Sequence, residues 1–149
     1  MDGYITNDTC IIFGPKYAKS LSPELLSQAN YKKIIFSDCK LDDGLFEKLN
    51  DGLYETSEND KFISTNFAYS KFNQSLAHSL DNCTSLTHLV FGFNFNQELI
   101  DWFVQPLHNA INNCTALTHI KFGHKFNCPL YNALYNCTSL THICFGLMF

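Results

Sequence analysis

The sequence predicts an α/β solenoid of about six strand-turn-helix units, whose strands align into one parallel, concave sheet. Two observations predict it: an eleven-residue phrase recurs three times, and apolar residues within each copy follow a strand pattern. The phrase begins at Asn82, Asn113 and Asn136, and it ends each time in a leucine or isoleucine, a variable residue, and Phe-Gly. Self-similarity at such a period is the signature of repeat architectures, in which neighbouring units cover each other's apolar residues.

Each copy of the phrase carries the alternation of a strand. Leu89 and Phe91 lie two residues apart and therefore share one face, while His88 and Val90 face the other side. Because no unit can bury its own leucine and phenylalanine, the phenylalanines of successive units are predicted to stack as a structural spine. The predicted spine consists of Phe13, Phe36, Phe91, Phe122 and Phe145.

The spacing of these phenylalanines predicts the unit lengths. With Phe67 taken as a degenerate sixth anchor, to within one residue, the spacings are 23, 31, 24, 31 and 23 residues. Short and long units therefore alternate along almost the whole chain, with no linker or second domain. We interpret residues 1–149 as one repeat domain, alone or as part of a longer array.

The segments between strands are predicted to be helical returns. Residues 97–112 place apolar side chains at three-to-four spacing, and Pro106 is expected to kink or divide that helix. Residues 41–53 carry a similar stripe, and residues 129–135 are expected to form a shorter helix. The dipeptide Ser22-Pro23 predicts an N-cap followed by proline at the first helical position.

Composition and charge exclude several function classes. The net charge of −4 argues against a nucleic-acid groove, which needs clustered Lys and Arg. No apolar run is long enough to span a bilayer, and residues 1–4 lack the start of a secretory signal. The seven cysteines are an odd number, so we interpret them as reduced, small, buried side chains. We expect an intracellular protein that is not secreted and has no nucleic-acid or membrane partner.

The predicted binding surface lies on the strand face opposite the spine. Each histidine of the phrase stands three residues before its phenylalanine, so the histidines are expected to form a ladder on the concave side. The residues two positions further along extend the same face. The complete predicted surface is His88, Val90, His119, Lys121, His142 and Cys144.

No catalytic chemistry is predicted at these positions. A ladder of parallel imidazoles points its nitrogens outward rather than converging them, so a solvated ladder that contacts a partner is favoured over a metal site. Cys83, Cys114 and Cys137 face the turn interior, away from the histidines, which argues against a thiol nucleophile. We therefore expect no metal and no cofactor.

Two further groups of residues are candidate interface positions. One of the adjacent pair Trp102 and Phe103 must point away from the core stripe, and Trp102 is either an exposed anchor or a cover for the neighbouring helix. The end of the chain, Leu147, Met148 and Phe149, has no polar capping segment. It is expected either to continue into further repeats or to dock against another chain, including a copy of itself.

The phrase Leu86-Thr87-His88-Leu89-Val90-Phe91-Gly92, followed by Phe95-Asn96-Gln97, resembles the FNIP repeat, a leucine-rich-repeat relative. The resemblance is strong over residues 82–149 and weaker over 8–76, and it implies a leucine-rich-repeat-like solenoid. Cys-Thr stands where the family has a proline-containing turn. The cysteine is also similar to that of leucine-rich repeats in ubiquitin-ligase adaptors. FNIP repeats are abundant in social amoebae and in giant viruses that infect amoebae, so the resemblance implies an amoebal or viral protein, in the host cytoplasm or virion.

These observations favour a non-enzymatic protein-protein interaction module, of the type of a host-factor or ubiquitin-ligase adaptor. The alternative is a structural or assembly component of a viral particle that self-associates through its open C-terminal end. An enzyme, the third class, has little support from the residues. Stoichiometry separates the first two, because an adaptor binds different partners whereas an assembly component binds itself or one scaffold.

Overall fold

The structure, a computed structural model, describes residues 3–38, 41, 69–103 and 107–148. Over these residues the chain is a mixed α/β structure with a six-stranded, mostly parallel sheet, which confirms the predicted class and the parallel arrangement. The elements are β1 (Tyr4–Thr6), β2 (Cys10–Phe13), α1 (Pro23–Leu26), β3 (Lys33–Phe36), β4 (His88–Val90), β5 (Ile100–Asp101), β6 (His108–Asn109), β7 (His119–Lys121) and β8 (His142–Cys144).

The strand order of the large sheet is β1-β2-β3-β4-β7-β8, and β5 pairs separately with β6. Strand β1 runs antiparallel to β2, and every later pairing in the large sheet is parallel. The register aligns equivalent repeat positions, so that His88 pairs with His119 and His119 with His142. Each strand with its following turn is called a rung below.

The core lies on one face of this sheet and is built from stacked aromatic rings. Along the predicted spine, the ring centroids of Phe13 and Phe36 are 4.9 Å apart, and those of Phe36 and Phe91 are 5.8 Å apart. The series continues at 5.7 Å from Phe91 to Phe122 and at 5.4 Å from Phe122 to Phe145. A second stack runs beside it through Tyr17, Phe72, Phe95 and Phe126.

The second stack shows that one predicted unit is not a separate strand. The ring centroids of Phe72 and Phe36 are 4.1 Å apart, and those of Phe95 and Phe91 are 3.9 Å apart. Phe72 therefore has the same position relative to Phe36 as Phe95 has relative to Phe91. Strand β3 pairs directly with β4, so the described sheet has five parallel strands and none between these two. The phrase at 72–76 therefore completes the rung that β3 begins, and the count of six alternating units was wrong. Phe67 itself lies outside the described residues.

Side-chain ladders also join the rungs beyond the strands. Asn73 Oδ1 accepts a hydrogen bond from the backbone N–H of Asn96 at 2.8 Å, and Asn96 Oδ1 accepts one from Asn127 at 2.8 Å. Gly123 is required by the close approach of neighbouring rungs, because a Cβ there would lie 1.8 Å from the carbonyl oxygen of Gly92. The repeat therefore sets contacts between units as well as within them.

The predicted long helix at 97–112 was wrong. In its place, β5 and β6 form a short antiparallel pair, and the N–H of Ala110 bonds the carbonyl of Leu99 at 2.8 Å. Proline removes a helical hydrogen bond and clashes with the preceding turn, which favours reversal over a continuous helix at Pro106. The paired arrangement still buries Leu99 and Ile111 in the core.

The other predicted helices have different outcomes. Residues 131–136 form turns with i→i+3 hydrogen bonds, and Tyr131 has a φ of 44°, so no helix forms there. The helix at 41–53 lies outside the described residues, apart from Leu41. The N-cap was correct: Ser22 Oγ accepts from the N–H of Leu25 at 3.3 Å, and Pro23 opens α1.

Candidate functional site

The histidines of the phrase lie together on the sheet face that looks away from the aromatic core, here called the second face. The rings of His88 and His119 are nearly parallel, with centroids 4.3 Å apart, and those of His119 and His142 are 4.2 Å apart. The parallel register of β4, β7 and β8 produces this stack, since it places the same repeat position side by side.

A threonine on each rung orients the imidazole that follows it. The hydroxyl of Thr118 lies 3.1 Å from the carbonyl oxygen of Thr87 and 2.9 Å from Nδ1 of His119. The same pair of contacts recurs at Thr141, with the carbonyl of Thr118 and Nδ1 of His142. A hydroxyl has one proton and a carbonyl only accepts, so both contacts form when the hydroxyl donates to the carbonyl and Nδ1–H donates to the hydroxyl. That arrangement selects the Nδ1–H tautomer along the ladder.

The ladder geometry does not suit one metal ion. Ligand atoms around a tetrahedral zinc lie about 3.3 Å apart, given metal-ligand distances of about 2.0–2.1 Å. Parallel rings keep equivalent nitrogens separated by the full ring spacing, and the outer histidines of the three are separated by two such steps. The stack is therefore an array of imidazole edges rather than a chelating cluster.

Accessibility on the second face changes along the sheet. Ile12 and Ile35 are fully buried there, and Val90 is 5% exposed, so Val90 offers little surface to a partner. Lys121, at the same position on β7, is half-buried, and Cys144 on β8 is exposed. The histidines follow the same trend, from half-buried His88 and His119 to exposed His142. Of the predicted surface, the accessible part is therefore the portion on β7 and β8.

A buried carboxylate lies close to this region. Asp38 Oδ1 accepts hydrogen bonds from the backbone N–H groups of Ser70 at 2.7 Å and Phe93 at 3.0 Å. Burial raises the pKa of Asp38, although these two bonds and the positive charge of Lys121 oppose the shift. The side chain thus joins its own segment to those of Ser70 and Phe93, within electrostatic reach of Lys121 on the second face.

The repeated cysteines are packed against backbone. Burial raises the pKa of Cys83 to about 11 and the pKa of Cys114 to about 12, and it raises the pKa of Cys137 as well. Thiols with such pKa values stay protonated and are poor nucleophiles at neutral pH. None of the three bonds an imidazole; the sulfur atoms of Cys114 and Cys137 instead approach the carbonyls of Leu80 and Ile111.

The predicted interface residues outside the second face are exposed where the structure describes them. Trp102 is partly exposed and packs edge-on against Tyr131, while Phe103 is almost fully exposed. Leu147 and Met148 are exposed as well, and Phe149 lies outside the described residues.

Sequence reasoning missed one polar cluster, in which two histidines share a carboxylate. His78 Nδ1 lies 2.8 Å from Asp81 Oδ2, and His108 Nε2 lies 3.0 Å from Asp81 Oδ1. His78 and Asp81 come from the turn at 77–82 and His108 from β6, so the fold alone brings them together. The available signal was a break in the repeat, because the residues 31 positions after His78 and Asp81 are Asn109 and Asn112.

Within the part of the chain that the structure describes, no helix has the length and apolar character needed to cross a membrane. Comparisons with known proteins were made at three levels: family, sequence and structure. No protein-family model matches this chain, and neither a curated protein nor a solved structure matches it.

Proposed function

We propose that this chain is a leucine-rich-repeat-like solenoid that acts as a non-enzymatic, intracellular protein-protein interaction module. The observation that carries the proposal is the regularly spaced polar array on β7 and β8, which is half-buried on β7 and exposed on β8. It comprises His119, Lys121, His142 and Cys144, at fixed positions of a parallel sheet. The rigid sheet holds these side chains at constant spacing before any partner binds, which lowers the ordering cost of association.

Two further features support a binding role over catalysis. The repeated thiols are buried and protonated, so they do not offer a nucleophile. The hydroxyls of Thr118 and Thr141 lie beside Nδ1 of His119 and His142, contacts that orient the rings toward the sheet surface as a binding array requires. The resemblance to FNIP repeats adds an amoebal or viral setting and an adaptor-type partner, such as a host factor or a ubiquitin-ligase component.

The experiment compares two double variants of the tagged chain as baits in lysate from infected and uninfected amoebae. The face variant, His142→Glu with Cys144→Glu, adds two negative charges to the exposed end of the second face. The matched control, Ala18→Glu with Gln28→Glu, adds the same charge at exposed positions far from it in the sheet order. Captured proteins are quantified by mass spectrometry, and each candidate is then purified and titrated against all three baits.

We expect a partner other than this chain to bind the wild type and the control equally and the face variant at least about tenfold more weakly, as charge mismatch at an interface costs several kcal/mol. Equal binding of every captured protein to both variants would contradict a site on β7 and β8. Loss of binding by the control as well would show that charge alone, rather than this surface, governs capture.

The second candidate function is assembly through the β8 end of the sheet. Ile143 is 45% exposed and Phe145 is 39% exposed, whereas Ile120 and Phe122, at the same repeat positions one rung earlier, are 2% and 1% exposed. Among the described strands β8 pairs only with β7, so its other edge is available for strand addition. A structural component of a viral particle would use this apolar edge to join another copy.

Sedimentation of the purified chain over a range of concentrations tests the assembly candidate. We expect oligomers that grow with concentration and that disappear in the variant Leu147→Glu with Met148→Glu, while Ala18→Glu with Gln28→Glu leaves them intact. A monomer at every concentration would contradict assembly through this edge, and it would leave the binding-module proposal unaffected.

A further inference from the structure

We propose that His78, Asp81 and His108 form a binding site for one divalent transition-metal ion, with zinc as the best match. The inference is independent of the proposed function and concerns a different surface, next to the turns rather than on the second face. Two imidazoles with one carboxylate are a donor set that suits zinc and its first-row neighbours. The remaining coordination positions would be filled by water.

The ligand atoms of the three side chains lie close together. Both histidines direct a ring nitrogen at the same carboxylate, at 2.8 Å and 3.0 Å, and each uses a different oxygen. One ligand atom from each residue lies within 4.8 Å of the other two. Ligands of a tetrahedral zinc stand about 3.3 Å apart, so the two contacts need to open by only a few tenths of an ångström to admit the ion.

The cluster contrasts with the ladder on the second face, where parallel rings keep their nitrogens apart. The planes of His78 and His108 are tilted by 52° with centroids 3.8 Å apart, so their nitrogens turn toward a shared ligand instead of lying in register. A chelate requires donor atoms that can face one ion, which rings tilted toward a common carboxylate allow and rings stacked in register do not. Of the described residues, only these three form such a group of potential ligands.

The repeat does not account for these residues. The equivalent positions on the next rung are Asn109 and Asn112, whose amides bond neighbouring turns: Asn109 Nδ2 donates to the carbonyl of Ala133 at 2.6 Å. Amides at these positions are sufficient to join two rungs. His78 and Asp81 stand where the next rung has these two asparagines. They supply an imidazole nitrogen and a carboxylate, and neither group is needed to join the rungs.

The surroundings favour a cation and allow it to enter. His108 also lines a cleft of about 320 Å³ together with Glu98 and Asp101, and no lysine or arginine lies among the residues that line it. The side chain of His78 is 63% exposed, and that of His108 is 19% exposed. An ion can therefore reach the site from solvent while one ligand stays fixed in the structure.

The competing explanation is a hydrogen-bonded bridge that joins the turn at 77–82 to β6 without any ion. The test uses the full chain, freed of metal by chelator and dialysis, and titrates zinc by calorimetry. The variants are His78→Ala and Asp81→Asn; the first lies at an exposed position, and the second preserves side-chain shape. The control is His119→Ala with His142→Ala, which removes two imidazoles from the ladder. Circular dichroism without metal establishes that each variant is folded.

We expect one zinc ion per chain, an affinity reduced about 100-fold in His78→Ala and Asp81→Asn, and little change in the control. X-ray absorption of the zinc-loaded chain should show two imidazole nitrogens at about 2.0–2.1 Å and no sulfur ligand. Absence of saturable binding would overturn the proposal in favour of the bridge. Unchanged affinity in both variants, loss of binding in the control, or a sulfur ligand would also overturn it, since each places the ion elsewhere.

Discussion

At the scale of single residues, Asp38 shows how one side chain joins distant segments. Its Oδ1 accepts from the N–H groups of Ser70 and Phe93, and an Asn94 side-chain amide donates to the carbonyl of Ser70 at 2.7 Å. A buried N–H that loses its acceptor costs more than an ordinary hydrogen bond gains. The acceptor at position 38 therefore matters more to stability than its charge does.

Asp38→Ala is expected to lower the free energy of unfolding by about 1–3 kcal/mol, while Asp38→Asn keeps an acceptor oxygen and lowers it less.

Because burial raises the pKa of Asp38 in the folded state, the folded chain binds the carboxyl proton of Asp38 more tightly than the unfolded chain does. The stability of the wild type relative to Asp38→Asn should therefore fall as pH rises from the ordinary aspartate pKa through the raised one. Urea unfolding at several acidic pH values measures this difference, and a relative stability that rises with pH would contradict it.

The cysteines make a second prediction at this scale. Cys144 is exposed, whereas Cys83, Cys114 and Cys137 are buried with raised pKa values. Since the thiolate is the reactive form, a maleimide or alkylating reagent should modify Cys144 first in the native protein. The three buried thiols should react only on unfolding. Peptide mass spectrometry after timed labelling, with a sample in guanidinium as control, reports each site, and early labelling of Cys114 would contradict the packing.

At the scale of elements, each rung depends on its neighbours more than on its own propensities. The strands of the parallel sheet are three or four residues long, too short to be stable alone, and stacking of Phe rings between rungs supplies the burial. The same principle explains why β5 and β6 pair with each other where the spacing predicted a helix. Burial of Leu99 and Ile111 against neighbouring rungs outweighs the helical spacing of the segment, and Pro106 adds to the preference.

Two equivalent phenylalanines test the role of neighbours. Phe122 has a spine ring on each side and is 1% exposed, whereas Phe145 belongs to the last described rung and is 39% exposed. Phe122→Ala should lower the free energy of unfolding by about 3–5 kcal/mol, as interior aromatic truncations do. Phe145→Ala should lower the free energy of unfolding by only about 1–2 kcal/mol, because folding buries less apolar area of the Phe145 side chain. Denaturant unfolding measures both, and equal losses would contradict the dependence on neighbouring rungs.

At the scale of the whole molecule, the two ends of the sheet differ. Antiparallel β1 pairs along one edge, while among the described strands the other edge ends at β8, whose residues are all exposed. Exposure of the side chains on the second face increases in the same direction, from buried Ile12 and Ile35 to exposed Cys144. Burial and accessible surface are thus concentrated at opposite ends of one sheet.

This asymmetry predicts a gradient of amide exchange. Strand β4 is hydrogen-bonded on both sides, whereas β8 bonds only β7 among the described strands. Amides of β4 should therefore exchange far more slowly than those of β8, which opens without disturbing the remaining rungs. Hydrogen exchange of the monomer, followed by mass spectrometry, measures the two strands together. Equal protection would indicate that β8 is covered by a partner or a second copy.

The sequence by itself determined the repeat and, through it, the parallel sheet, the spine and the grouping of the three histidines. The reason is physical: identical residues at one period must occupy identical places when units stack. It also identified the N-cap at Ser22 from local chemistry. The features that follow from the repeat depend on contacts between units that carry the same residues, whereas the N-cap depends on its own turn alone.

The tertiary structure alone decided the features that depend on contacts between unlike segments. It decided that Phe72 completes the rung of Phe36, a pairing across a long insertion that no period indicates. It likewise brought His108 to His78 and Asp81, since residues 27 and 30 positions apart meet only when a turn and a hairpin lie side by side. It also decided which second-face positions are accessible, because the strand pattern gives Val90 and Cys144 the same place while Val90 is buried and Cys144 is exposed. Such contacts are set by three-dimensional packing rather than by local periodicity.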